Sequence, residues 1–386
     1  MHQTPERLSS QEETPSKERN HKMFWTSLAP VAAAALLLIL VPTTTLALSS
    51  SIRKIPNFLT GKIASDERVI FFPTVGGRIN ETHWSAHIHG WIFEPETESR
   101  KRKVAIRGLG KVLDVKTDTE GGELLKRRLM PFTVDNQSMK FVLVKVGNNG
   151  TGGIHRLPRS TKNGHFVGHV TLHHDELHDA EDGMVTYRAV DRDRIFEGFI
   201  HLLQSTGTSI ISDIDDTLKI TNYLDKREFL KNTFLREFVE VPGMKELFHR
   251  CKSNYDNCSF HYVSASPYQL FEELQEFFVR VGFPSGSFHL KTIRIKDRTL
   301  LQLFADPMDY KLRQIEPLLK TYPMRKFILI GDSGEKDPEI YAELYRRYPG
   351  RIEQIWIRNV NDANASRMEG VDPRVWRYFR DGHDLI

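Results

Sequence analysis

The chain has 386 residues, 39% hydrophobic and 27% charged, an ordinary globular composition that excludes wholesale disorder and leaves room for two folded units. Its 54 basic and 50 acidic residues leave a formal net charge of +4, too weak a bias to argue for a nucleic-acid partner. Two cysteines, Cys251 and Cys258, exclude a disulfide framework.

Residues 1–22 read as a disordered leader of mixed charge. Residues 23–52 carry no charge, and their centre, residues 30–42, is almost wholly aliphatic. A spanning helix needs about 20 apolar residues, a length reached here by including Phe24, Trp25 and the threonines 43–45. Cleaved signals usually have a short basic leader, whereas Glu6, Glu12 and Glu13 precede this segment. It therefore reads as an uncleaved, single-pass membrane segment near the N-terminus. Basic residues flank it on both sides, so its orientation is not set.

From residue 66 to 205 the pattern turns to short alternating runs of β-branched and aromatic residues, the texture of a β-rich, sandwich-like domain. Strands are expected at 85–93, 138–146, 165–172, 184–190 and 195–203. A helical insertion is expected at 109–130, in two pieces around Gly121 and Gly122. His169, His173, His174 and His178 invite a metal reading, but strand geometry puts 169 and 173 on one face and turns 174 away. They read better as solvated edge histidines. The basic runs 100–103 and 126–128 read as a solvated loop and a helix face, with anionic lipid headgroups as the other reading.

From 206 to 360 apolar runs alternate with amphipathic helical stretches, the signature of a parallel sheet covered by helices on both faces. Expected strands at 208–212, 260–263 and 326–330 deliver Asp213, Ser264 and Asp332 to their C-terminal ends, where open α/β sheets bind ligands. An aspartate attacks phosphorus when a divalent cation neutralises the phosphate, giving an aspartyl-phosphate that water then hydrolyses. Asp213 has that role, and Asp215, two residues on, protonates the leaving oxygen and then activates water. Thr217, Ser264 and Lys311 offer hydroxyl and ammonium groups to the phosphoryl oxygens. Lys291 and Lys296 share the region of Lys311, but only Lys311 opens the helix before the Asp332 strand. Asp213, Asp215, Asp332 and Asp337 supply a hard, all-oxygen site for Mg2+. His289 and Arg294 read as flanks of a short strand, Asp309 as a helix cap, and residues 361–386 as a short aromatic tail.

The ordered set DxDxT, Ser264, Lys311 and GDSGEKD resembles the four motifs of the haloacid-dehalogenase (HAD) superfamily. More narrowly, ISDIDDTLK, VSASP and IGDSGEKDPEIY resemble the phosphatidate phosphatase catalytic domain of fungal actin-patch proteins. The region with HGWIFEP is similar to the domain that commonly precedes that unit. The resemblance implies a HAD-like Rossmannoid fold and magnesium-dependent conversion of phosphatidate, or a related lipid phosphate, to diacylglycerol at a membrane. It also makes Asp216, where many superfamily members have glycine, a family mark with no catalytic step. Neither inter-motif segment is long enough for a large folded cap, so the site would admit a headgroup held at a membrane. A phosphatase of a soluble phosphomonoester or phosphoprotein, and a non-enzymatic membrane tether, are the competing readings.

Overall fold

Alternating apolar and polar residues build one sheet, and continuous apolar runs build another. The computed structural model describes residues 63–386 apart from 96–99, 117, 148–151, 178–179, 181–182, 192–193 and 294–307. The leader and the membrane segment read at 1–52 thus lie outside the described residues, among which no helix is long and apolar enough to cross a membrane.

The first unit contains β1 (Arg68–Phe72), β2 (Thr74–Arg78), β3 (His83–Glu94), helices α1 (Arg100–Val112) and α2 (Glu120–Leu129), then β4 (Asp135–Asn136), β5 (Leu143–Val146), β6 (Ile154–Arg156), β7 (His165–His173), β8 (Met184–Ala189) and β9 (Glu197–Leu203). Instead of two separate sandwich sheets, the nine strands form one hydrogen-bonded sheet. Strands from distant positions in it, β5, β7 and β9, share one apolar core with β1 and β3. β3 and β7 pair from His83↔His173 to Trp91↔His165. Trp84, Ala86 and Ile88 face the core with Val170 and Leu172, while on the other face His87 meets His169 and the His89 and His165 rings lie in hydrogen-bond contact at 3.0 Å.

Two sequence expectations need correction. The helical break falls at residues 113–119, not at the glycine pair, and α1 begins at Arg100, in the run read as a loop. Thr119 caps α2 by accepting from the Gly122 N–H (3.3 Å), and a Cβ at Gly121 would come within 3.2 Å of the Leu235 carbonyl. The glycines serve close packing in the first turn. The strand expected at 138–146 begins only at Leu143, since Met139 has φ +61, which an extended strand does not admit.

The second unit contains β10 (Thr208–Ser212), α3 (Lys226–Phe234), α4 (Met244–Asn254), β11 (Ser259–Pro267), α5 (Phe271–Val281), β12 (Ser287–Lys291), α6 (Met308–Thr321), β13 (Lys326–Asp332), α7 (Asp337–Arg347), β14 (Ile352–Arg358) and β15 (Trp376–Phe379). Its sheet runs β12-β11-β10-β13-β14-β15, every pair parallel. The period of two sorts neighbours to opposite faces: Ile210, Ile328 and Ile330 pack with α4 and α5, Ile211, Phe327 and Leu329 with α6 and α7. The C-terminal stretch read as a tail instead supplies the edge strand β15.

The units share more than a chain crossing. Phe72, Trp91 and Phe93 belong to the same apolar cluster as Phe271 and Phe288, and the Phe288 N–H donates to the Pro73 carbonyl (3.0 Å). Arg325 is wholly buried. It donates to the carbonyls of Gln204 (3.0 Å), Thr206 (2.9 Å), Thr208 (2.7 Å) and Asn257 (2.6 Å) and to Ser209 Oγ (2.9 Å). It thereby ties the β9–β10 connection to the sheet. Removing a buried donor strands its acceptors at roughly 1–3 kcal/mol each. Arg325→Ala is expected to lose at least about 3 kcal/mol in urea unfolding, with Arg325→Lys recovering only part because an ammonium has three donors. A loss under about 1 kcal/mol would show that water replaces the guanidinium.

Candidate active site

Asp213 stands one residue past β10, and its N–H still donates to the Ile330 carbonyl of β13 (2.9 Å), which fixes it at the C-terminal edge of the sheet. The chain then turns sharply, the Leu218 and Lys219 N–H groups both donating to the Ile214 carbonyl (2.9 and 3.0 Å). β13 ends in Asp332, and α7 begins at Asp337, placing a carboxylate at a helix N-terminus. A Cβ at Gly331 would lie 2.3 Å from Asp337 Oδ2, so only glycine lets the two elements close on each other.

Lys311 of α6 projects into this corner. Its ammonium is wholly buried, 2.9 Å from Asp213 Oδ1, 2.5 Å from Asp337 Oδ1 and 3.0 Å from Glu335 Oε2. Burial would lower its pKa, but the carboxylates of Asp213, Asp337 and Glu335 hold it well above the usual lysine value. Burial drives Asp213 well above the carboxylate range; Lys311 opposes this, while Asp337, Glu335 and Asp332 reinforce it. Asp332 is raised in the same way, by burial first and then by Asp337 and Glu335.

Of the described residues, Asp213, Asp332 and Asp337 form a group with oxygens within 4.8 Å of one another, and these three could hold a divalent metal. Asp332 fits such an ion best. Its Oδ1 accepts from Gly334 N–H (2.6 Å) and Glu335 N–H (3.3 Å), whereas its buried Oδ2 has no hydrogen-bond partner. Buried anionic oxygens left in that state are costly, and oxygen-only donors suit a hard cation.

The Asp215 carboxylate is not in that group. Its Oδ1 accepts from Lys219 Nζ (2.6 Å) and Thr221 Oγ1 (2.9 Å), its Oδ2 from Ser264 Oγ (3.0 Å) and Ser266 Oγ (2.6 Å). Burial would raise its pKa, but the Lys219 charge and the bonds from Lys219, Ser266 and Thr221 prevail and hold it down to about 2. Thr217 Oγ1 lies 3.4 Å from Asp213 Oδ2, at the limit of a hydrogen bond. The structure thus brings Asp213, Lys311, Asp332 and Asp337 together and sets Asp215 and Ser264 in an adjoining cluster. His289 sits half-buried on β12, its ring 2.9 Å from Ser287 Oγ; Arg294 and Lys296 lie outside the described residues.

Sequence reasoning missed Lys219, Thr221, Ser266 and Glu335. Ser266 was within reach, because in extended backbone it shares a face with Ser264. Asp216 gains an explanation too. Its φ of +53 is where glycine is favoured, and aspartate tolerates it. Its carboxylate accepts from the N–H groups of Thr221 (2.8 Å), Asn222 (2.8 Å) and Tyr223 (2.6 Å).

A buried aspartate after a central parallel strand, with a lysine and two acids brought from later elements, is the arrangement that the DxDxT, Lys311 and GDSGEKD motifs implied. Residues 208–359 match the family model described as "Phosphatidate phosphatase APP1, catalytic domain". Phosphatidate phosphatase APP1 of Saccharomyces cerevisiae is 34% identical over 155 residues, 39% of this chain and 26% of that protein. An uncharacterized protein of Schizosaccharomyces pombe is 32% identical over 184 residues, 46% of this chain and 29% of that one. The chain therefore spans little more than a quarter of the length of either relative. A family 123 glycoside hydrolase from Clostridium perfringens aligns at 6% identity over 78% of this chain and 65% of that one, with a TM-score of 0.14, which bears on nothing here.

The Asp216 geometry leads to a ranking. Asp216→Asn keeps an acceptor and tolerates the positive φ, Asp216→Gly keeps only the backbone freedom, and Asp216→Ala keeps neither. Stability loss in thermal melts is expected to rise in that order, reaching about 2 kcal/mol or more for alanine. Equal melting for all three would remove the loop-organising role.

Proposed function

We propose that the chain is a magnesium-dependent phosphatidate phosphatase, releasing diacylglycerol and orthophosphate through an aspartyl-phosphate on Asp213. The observation that carries this reading is the buried Asp213–Lys311–Asp332–Asp337 corner, in a unit that matches a phosphatidate phosphatase catalytic domain. Mg2+, held by Asp213, Asp332 and Asp337, would offset the charge of the phosphate and of these acids. Lys311 holds the Asp213 carboxylate in position and reaches a phosphoryl oxygen, as do the hydroxyls of Thr217 and Ser264.

Asp213 Oδ attacks phosphorus, the ester P–O bond breaks, and Asp215 delivers a proton to the departing glyceryl oxygen. In the free chain Asp215 is ionised under the charge of Lys219. An arriving phosphomonoester monoanion brings the proton, and its negative charge raises the Asp215 pKa to receive it. Ionised again after the leaving group departs, Asp215 takes a proton from the water that cleaves the aspartyl-phosphate.

Residues 66–205 form the accessory β-rich domain and 206–360 the catalytic domain in this reading. The uncharged segment 23–52 serves as the single-pass anchor that keeps the site at its lipid substrate.

The test is orthophosphate release by the full chain from phosphatidate in detergent micelles. Asp213→Asn is expected to cut the rate by about a thousandfold or more, and a chelator to abolish it until Mg2+ is restored. Release from a soluble phosphomonoester alone would discard the lipid assignment; unchanged turnover in Asp213→Asn would discard the nucleophile.

A further inference from the structure

The C-terminal segment after β14 reaches the carboxylate corner from behind. Its short turn Ala365–Met368 is capped by Asn364, whose side chain accepts from the Ser366 N–H (3.0 Å), and is anchored by Met368, buried in one core with Ile340 and Leu344 of α7. That places the Arg367 guanidinium against the connection from β13 to α7. It donates to the Ser333 carbonyl and to the Glu335 carbonyl (2.5 Å), and it forks onto the Glu339 carboxylate, Nε to Oε1 (2.7 Å) and Nη2 to Oε2 (2.8 Å).

Resting on the phosphatase reading, we infer that Arg367 is a positioning residue of the reaction: it sets the conformation of the 332–337 loop in which Asp332 and Asp337 can share one divalent cation. The Ser333 carbonyl and the Gly334 N–H belong to one peptide unit, and that N–H donates to Asp332 Oδ1 (2.6 Å). A planar peptide gripped at its oxygen by a cation cannot turn without releasing Asp332 at its other end. The positive charge at the oxygen also strengthens the N–H as a donor. With Oδ1 engaged in this way, the oxygen left to a metal is Oδ2, which is buried without a hydrogen-bond partner.

The other acid is held by the same group. Glu339 stands two residues past Asp337 in the first turn of α7. One guanidinium therefore spans from the peptide that grips Asp332 to the turn that carries Asp337. It also holds the backbone of Glu335, whose side chain lies 3.0 Å from Lys311 Nζ. Asn361 secures Ser333 a second time, accepting from Ser333 Oγ (2.6 Å) and donating to the Ser333 carbonyl (3.2 Å). Arg367 and Asn361 both lie beyond the matched residues 208–359, so the segment that follows them supports the site from outside that unit.

The test compares Arg367→Ala, Arg367→Lys and Arg346→Ala in the full chain. Arg346 is the control, because it bonds the Glu369 carbonyl (2.9 Å) and Glu343 (2.7 Å) beside the same turn without touching the 332–337 loop. Mn2+ binding to the substrate-free chain, followed by electron paramagnetic resonance, is expected to weaken about tenfold or more in Arg367→Ala. Orthophosphate release at saturating phosphatidate falls by a similar factor while KM stays within about threefold, and methylguanidinium in the buffer restores part of both losses. Arg367→Lys, which keeps the charge but not the fork, lies between; Arg346→Ala stays within about twofold of the parent. Melting curves check the fold, and if Arg367→Ala does not fold, Arg367→Lys and Glu339→Gln carry the test, each expected to weaken Mn2+ binding about threefold or more. Mn2+ binding and turnover that match the parent in the folded variants overturn the positioning role, as does an equal loss in Arg346→Ala. A parent chain that neither binds Mn2+ nor releases orthophosphate from phosphatidate or p-nitrophenyl phosphate defeats the phosphatase reading, and this inference with it; a parent that does both while the Arg367 variants behave alike defeats the inference alone.

Discussion

One buried ammonium faces three carboxylates, and a fourth lies against them: Lys311 contacts Asp213, Glu335 and Asp337, and Asp332 shares their corner. Out of water, like charges this close cannot all remain ionised without further positive charge. Burial accordingly drives Asp213 and Asp332 toward protonation, while the same acids lock Lys311 as a cation. The corner is short of positive charge, and a site in that condition favours a divalent ion together with a group that the ion and the lysine can clamp. The rest of the second unit serves to hold this unfavourable arrangement: parallel strands aim the acids at one edge, α7 offers its N-terminus to Asp337, and Gly331 leaves the space in which Asp337 sits.

Two residues away, the same backbone turn creates the opposite environment. Asp215 is buried like Asp213, yet four donors surround it, one of them the Lys219 ammonium, and they hold its pKa down where that of Asp213 is driven up. Carboxylates pushed apart in this way are suited to different steps of one reaction. The division depends on Lys219, whose ammonium lies over the Phe238 ring (4.5 Å) and also donates to Thr221 (3.0 Å). Asp216 contributes from the opposite side of the turn by ordering the backbone of 221–223, which carries Thr221 into place.

Three strands at the centre of the second sheet, β10, β11 and β13, were legible in the sequence because each is an apolar run that leads to a polar residue with an evident chemical use. Asp213, Ser264 and Asp332 announce themselves by position, and Lys311 by preceding the last of them. Lys219, Ser266 and Glu335 were not legible, because a short-range motif shows which residues are near the nucleophile but not which way a tight turn points them. The β-rich unit was harder. Its strands alternate well enough to be found, yet pairing across β3 unites them into one sheet that no local pattern specifies. The helix break near Gly121 misled for a related reason: the glycine answers to Leu235, more than a hundred residues away, and not to its own helix.

That long-range dependence recurs wherever the two units meet. Arg325 gathers the carbonyls of the β9–β10 connection, Arg128 reaches from α2 to the end of α3, and Phe72 of β1 lies 4.2 Å from Tyr268 and 5.0 Å from Phe271 between ring centroids. Each contact bears on an element next to the site: β10 carries Asp213, α3 follows the 221–223 turn that Asp216 orders, and Tyr268 follows directly on the Ser264–Pro267 segment. An interface that holds three elements beside a site is poorly suited to domains that move independently, since a shift of one would release α3, Tyr268 and the strand of Asp213 together. The β-rich unit is thus better understood as part of the scaffold of the site than as a separate binding module joined to an enzyme.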